Sequence, residues 1–338
     1  MAEQSSLTVA SDVQIETSAG SGSGLVRATG AAAFRSEPIA LSRKMTSAEA
    51  LVIVAASCLR QIALNETGVR DGLGEAVHQM RVGLRRLRAA LAIFQPVLQP
   101  AEFDDLKREL VWLTEQLAEA RDYDVLLESK RKFDVVTSSL FAFEAELTSE
   151  LSRRRQEAFL IASHAVGDVR FERIIVSAAI RLISRADADG AGGEPVRELA
   201  RRALERRTRR VLRGLARFAR LGERERHELR IRVKKLRYAM QFFAGVFPHS
   251  RRSRKRFSRA LEALQETLGT LNDMAVQQRI ATSMIDESTN EARLSRRCAF
   301  AMGGLTGYQQ AELRSLLAAV PELRARLAEA PHFWNKQP

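Results

Sequence analysis

The sequence predicts an all-α protein built from two similar helical bundles, and three observations carry that expectation. An eleven-residue motif, His78-Gln-Met-Arg81-Val-Gly-Leu-Arg85-Arg86-Leu87-Arg88, returns as His227-Glu-Leu-Arg230-Ile-Arg-Val-Lys234-Lys235-Leu236-Arg237, 149 residues later (78 to 227). Apolar residues recur at helical spacing through most of the chain, and period-2 runs of the strand type are absent. Gly and Pro fall at the ends of the helical patterns rather than inside them.

The order of elements follows from these signals. Residues 1–45 are rich in Ser, Gly, Ala and Thr without a sustained period and read as a disordered tail. Thr46-Ser-Ala-Glu49 is a capping-box pattern that opens a helix to about Asn65. The first motif helix runs from about Gly74 to Gln95 and stops at Pro96. A third helix, about Glu102 to Ala118, ends at the segment containing Arg121 and Asp122. Helical patterns over about Asp134 to Ser163 and Val169 to Arg185 follow. Asp187–Gly193 then reads as a linker between halves of about 46–186 and 194–330. Pro195 opens a long helix. Its apolar face is Leu204, Val211, Leu215 and Phe218, opposed by Arg202, Arg206, Arg209, Arg213, Arg217 and Arg220. The second motif helix spans about Glu223 to Phe247, before Pro248. Next come a helix from Arg251 to Leu268, the segment Gly269–Val276 that echoes Leu117–Val125, and two helices over about 277–286 and 290–327. A kink is expected near Gly303-Gly304, and the tail after Pro331 reads as loose.

On a helix, the motif spacing puts His78, Arg81, Arg85 and Arg88 within an arc of about 80°. Met80, Leu84, Leu87, Leu91 and Phe94 lie opposite. In the second copy His227, Arg230, Lys234 and Arg237 face away from Leu229, Val233, Leu236, Met240 and Phe243. Each helix therefore has an oily back and a cationic front about 15 Å long. A face built only for solubility alternates its signs, whereas these stripes hold few carboxylates. Arg suits phosphate oxygens through its fork of donors, and Lys adds a point charge. A symmetric pairing of the halves would bring the two fronts together, although the sequence does not prove it.

The net charge of +13, from 54 Lys and Arg against 41 acidic residues, favours an anionic partner. Cys58 and Cys298 have neither disulfide-framework nor metal spacing, which suits a reducing compartment. No apolar run approaches the roughly 20 residues that span a bilayer, and the N-terminus lacks a secretory pattern, so the cytoplasm is expected and no membrane partner is. For His78 and His227 three roles stand open: a hydrogen bond to Asp122 or Asp273, donation to phosphate, or a metal, which the neighbouring cations disfavour. A phosphate contact predicts tighter binding below neutral pH. Asp122 and Asp273 read either as helix N-caps or as groups orienting the stripe. Trp112 and the Phe residues read as core.

At the two motifs, at Ala120-Arg-Asp-Tyr-Asp-Val125 and at Leu264-Gln-Glu-Thr-Leu-Gly-Thr-Leu-Asn-Asp273, the chain resembles the CHAD family, the conserved histidine α-helical domain. The resemblance covers roughly Thr46 to Leu327. It implies two helical bundles around a basic groove or pore, and binding of inorganic polyphosphate. With the repeat, which suggests a pseudo-twofold relation between the bundles, the expected function is non-catalytic binding of polyphosphate, one outcome of which is targeting to polyphosphate granules. The residues carried over are His78, Arg81, Arg85, Arg86, Arg88, Arg121, His227, Arg230, Lys234, Lys235, Arg237 and Tyr238. Arg170 and the face from Arg202 to Arg217 are secondary candidates, with Asp122 and Asp273 behind the cations. Some members carry an N-terminal triphosphate-tunnel enzyme domain. The stretch before Thr46 is too short for one, and Glu223-Arg-Glu225-Arg-His227 departs from that enzyme's E-x-E-x-K strand, so no phosphohydrolase activity, metal or cofactor is expected. A rival reading is a basic helical protein that binds nucleic acid. Aromatic residues are only 6% and none interleaves with the first stripe, so base-stacking platforms are lacking there.

Overall fold

The computed structural model describes residues 33–98, 103–137, 144–188, 193–291 and 296–335. Among them the regular elements are helical. They are α1 (Ser47–Ala63), α2 (Glu66–Arg70), α3 (Gly74–Ile93), α4 (Asp104–Gln116), α5 (Ala118–Thr137), α6 (Glu144–Gly167), α7 (Val169–Ala188), α8 (Val196–Leu215), α9 (Glu223–Phe242), α10 (Arg251–Glu291) and α11 (Arg296–Glu329).

α1 starts where the capping box places it. The Thr46 hydroxyl accepts from the Glu49 amide, and the Glu49 carboxylate accepts from the Thr46 amide at 2.8 Å. The apolar backs of the motif helices are the core: Met80, Leu84, Leu87, Leu91 and Phe94 on the α3 side, and Leu229, Val233, Leu236, Met240 and Phe243 on the α9 side, are all buried. α3 and α9 each hold 20 residues. Their first residues, Gly74 and Glu223, and their last, Ile93 and Phe242, stand at the motif offset.

Two contacts join residues at that same offset. Thr46 and Pro195 form an isolated antiparallel bridge. Its hydrogen bonds are reciprocal, with the Ser47 amide donating to Glu194 O (2.7 Å) and the Val196 amide to Met45 O (3.0 Å). The Phe94 and Phe243 rings meet at 5.8 Å. α1 packs on α3, α8 on α9, and α3 on α9. Close approach of α1 to α3 depends on Gly83, where a Cβ would stand 2.8 Å from Ile62 Cγ1 and 3.3 Å from Ile62 N.

Several expectations are corrected. α4 is followed at once by α5, so Asp122 lies inside a helix and caps none. Asp273 likewise sits within α10, which runs unbroken through Gly269 for 41 residues, about 60 Å. Isolated helices need caps, but tertiary packing carries this one past its glycine. α8 ends at Leu215, so Arg217 and Arg220 lie beyond it, and α9 ends at Phe242 rather than Phe247. α11 continues through Gly303-Gly304.

Neither end of the described chain is loose. Residues 33–45 are non-helical but docked, with Leu41 buried and the Phe34 amide donating to Asn65 Oδ1 (3.0 Å). Phe333 and Trp334 are buried against Phe257, and Trp334 Nε1 donates to Glu205 (3.2 Å). Most of the expected tail, residues 1–32, and most of the expected linker lie outside the described residues.

Ser47–Arg70 does reach the length and mean hydropathy, 1.5, of a bilayer span, against expectation. Its apolar side is core: Ala50, Leu51, Val54, Ala55, Cys58 and Ile62 are fully buried.

Gly83→Val should lower unfolding stability by roughly 1–3 kcal/mol, since a branched side chain there meets backbone as well as the Ile62 side chain. Denaturant midpoints check this, and an unchanged midpoint would mean that the α1–α3 contact is slack.

Candidate anion site between α3 and α9

The helix periodicity that buries Leu84 and Val233 turns Arg85 and Lys234 away from the core and toward the facing helix. Arg81 lies in the field of Arg85, Arg121 and Arg230. Lys234 lies in the field of Arg230, Arg85 and Arg237, and His78 in that of Arg121, Arg85 and Lys234. Arg85 Nε reaches the hydroxyl of buried Tyr238 at 3.5 Å, a direct link between residues 153 positions apart. The two stripes therefore share one partly buried cluster.

Burial sets the protonation chemistry of that cluster. Lys234 is pushed down to about 6, first by desolvation and then by Arg230 and Arg85. His78 is pushed down to about 4 by burial, Arg121 and Arg85, with Glu75 opposing. Arg81 falls to about 10, chiefly through desolvation, and Arg230 is lowered for the same reason. Burial also raises the Asp122 carboxyl, against the pull of Arg81.

Counter-charge is scarce. Asp273 stands 3.7 Å from the Arg230 guanidinium, and Asp122 faces Arg81. Arg81 Nη1 donates to Thr114 O at 2.9 Å. Among the described residues the Nε atoms of Arg81, Arg230 and Arg237, all buried, find no acceptor. Asn272 Oδ1 lies 2.6 Å from Nδ1 of His227, which is exposed, unlike His78. Arg121 lies close to His78, so a cation neighbours the first motif histidine where an amide neighbours the second. Among the described residues no group of three or more His, Cys, Asp or Glu is placed to hold a metal ion.

The CHAD domain model matches residues 53–282. The chain belongs to the CHAD family. Its fold is similar to the crystal structure of the CHAD domain from the plant Ricinus communis, with 29% identity and a TM-score of 0.75 over 90% of this chain and 99% of that one. It is also similar to PptA from Streptomyces chartreusis, with 19% identity and a TM-score of 0.60 over 82% of this chain and 99% of that one. No curated protein matches it.

Not every residue carried over from the CHAD motifs reaches the cluster. Arg86 turns toward α1, where it is buried and donates to Gln61 Oε1 (2.6 Å) and Ser57 Oγ (3.3 Å). One residue is about 100° of helix, enough to move it off the front. Lys235 is likewise turned away, toward Arg207 of α8, and Arg88 is exposed in its field. Arg170 pairs with Glu109 at 2.7 Å and lies 3.8 Å above the Trp112 ring, which is only partly buried. Arg202 pairs with Glu194 and Arg209 with Glu205, while Arg206, Arg213 and Arg217 are exposed. A cavity of about 820 Å³ opens beside the cluster, between α9, α10 and α11. It shares His227 and Asn272 with the cluster, but Leu268, Leu271 and Leu313 make its wall largely apolar.

Lys234 titrates at about 6 when folded and at about 10.4 when unfolded, so the unfolded chain holds the extra proton between those values. Stability should therefore fall as pH drops from about 10 toward about 6. Thermal melts in phosphate-free buffer should show that slope, and Lys234→Met should flatten it.

Proposed function

We propose that this CHAD protein captures inorganic polyphosphate between the facing stripes of α3 and α9, without catalysis. The carrying observation is the cluster of Arg81, Arg85, Arg230 and Lys234, partly buried, mutually repelling and short of carboxylates. Such an arrangement costs several kcal/mol unless an anion completes it. A flexible chain of phosphates offers many charges at close spacing and can be held at several points at once. Release of its counterions adds to the affinity.

We further read the two halves as pseudo-twofold-related bundles with the cations lining a basic groove between them. The reciprocal Ser47–Glu194 and Val196–Met45 hydrogen bonds support this, since a two-fold axis generates exchanged contacts of that kind. Asp273 and Asp122 hold the arginines in place rather than act on substrate. The proposed setting is the cytoplasm, with recruitment to polyphosphate granules as one outcome of binding. Nucleic acid is the second reading, favoured by the net charge of +13 alone.

Titration with polyphosphate at about physiological ionic strength, where weak surface attraction is screened, tests the reading. Arg81→Ala, Arg85→Ala, Arg230→Ala and Lys234→Ala together should weaken binding by at least about 100-fold, as expected for several charge-assisted contacts. Equal affinity for single-stranded DNA or RNA would move the assignment to nucleic acid. Release of orthophosphate on addition of Mg²⁺ or Mn²⁺ would make the protein an enzyme.

Binding should also take up protons. Phosphate oxygens beside Lys234 favour its charged form, so affinity rises as pH falls from about 8 toward about 6 and levels off below that. Calorimetry in two buffers of different ionisation enthalpy reads the uptake directly. His78 adds protons only if the anion raises it from about 4.

A further inference from the structure

On the other flank of α9, Lys235 meets a set of cations that the polyphosphate cleft does not use. The motif offset places Ser57, Cys58, Gln61 and Arg86 in register with Arg206, Arg207, Arg210 and Lys235. In the first set one cation is met by neutral groups, with Arg86 donating to Gln61 and Ser57 and lying beside Cys58. In the second set each of those neutral groups is an arginine. Arg207 is only 7% exposed, yet its Nε and Nη2 have no acceptor among the described residues. The charges nearest to it are Arg206 and Arg210, and those nearest to Lys235 are Arg207, Arg88 and Arg232. No described carboxylate is among them. A guanidinium buried this deeply beside other cations calls for an acceptor that the described residues do not supply.

We propose that Arg207 and Lys235 form a second anion site, which takes one phosphate group. Arg207 supplies two fixed donors, Lys235 a point charge, and Arg88 a guard at the mouth. The group is either orthophosphate or a unit of polyphosphate leaving the cleft past Arg88, the last cation of the α3 stripe. Only the second source rests on the function proposed above.

The test uses the full chain in a background of Arg85→Ala and Lys234→Ala, which disables the cleft. Melting temperature is followed while chloride is exchanged for orthophosphate at constant ionic strength. The background protein should gain stability with phosphate, and Arg207→Gln should abolish most of that gain while raising the melting point in chloride. A phosphate response of equal size with and without Arg207 would overturn the site. Should Arg207→Gln fail to fold, the combined Arg206→Ser, Arg207→Cys and Arg210→Gln change, which rebuilds the first-half pattern, must abolish the response instead.

With the cleft intact, Arg207→Gln separates the two sources. Weaker polyphosphate binding assigns the site to the chain, whereas unchanged polyphosphate binding with the orthophosphate response lost assigns it to the free ion. If the wild type fails to bind polyphosphate but keeps a phosphate response that needs Arg207, the second site stands and the cleft reading falls.

Discussion

The packing of α3 against α9 with their cationic fronts turned toward each other is the constraint on which the rest of the molecule depends. Apolar residues on the backs of both helices fix their rotation, because Leu84, Leu87, Val233 and Leu236 have to be buried. Once the backs are fixed, the fronts follow, and Arg81, Arg85, Arg230 and Lys234 share a confined space. The hydrophobic contribution of the backs outweighs the repulsion of the fronts, so the fold holds cations that would separate in water. The repulsion then remains available to favour an anion.

The two motif helices use this device unequally. Asn272 stands beside His227 where Arg121 stands beside His78. Tyr238, whose register partner is Ala89, crosses to Arg85. Arg86 donates two hydrogen bonds to α1, with only its Nε left without an acceptor among the described residues, while the cations Arg207, Arg88 and Arg232 surround Lys235. The same helix pair is thus a neutral-walled support on one side and a cationic surface on the other. Helix packing tolerates this because guanidinium stems are apolar and pack as well as their neighbours.

Much of the site was legible because helix periodicity is a local rule. The spacing of His78, Arg81 and Arg85 selects a face whatever surrounds it. The capping box at Thr46 was legible for the same reason. Asp122 and Asp273 resemble caps in the sequence because the polar run Arg121–Asp124 and Gly269 with Asn272 mimic helix ends, and only packing shows that α5 and α10 run through them. Arg86 looks like a site residue in the sequence because adjacency in a motif looks like adjacency in space, although one residue turns it toward α1. Arg207 is hard to single out within an arginine-rich helix. Its signal was available, since it stands in register with Cys58 on the apolar face of α1.

The sequence by itself determined the helical class, the cationic stripes and the repeat, since each follows from residue spacing along one helix. The tertiary structure decided which of the cations lose their water. Lys234 and His78 are pushed far from their ordinary values, whereas His227 lies exposed, although the motif writes the two histidines alike. It also decided that the C-terminal Phe333 and Trp334 are core. Desolvation depends on atoms contributed by segments up to about 150 positions away, and no local pattern records it.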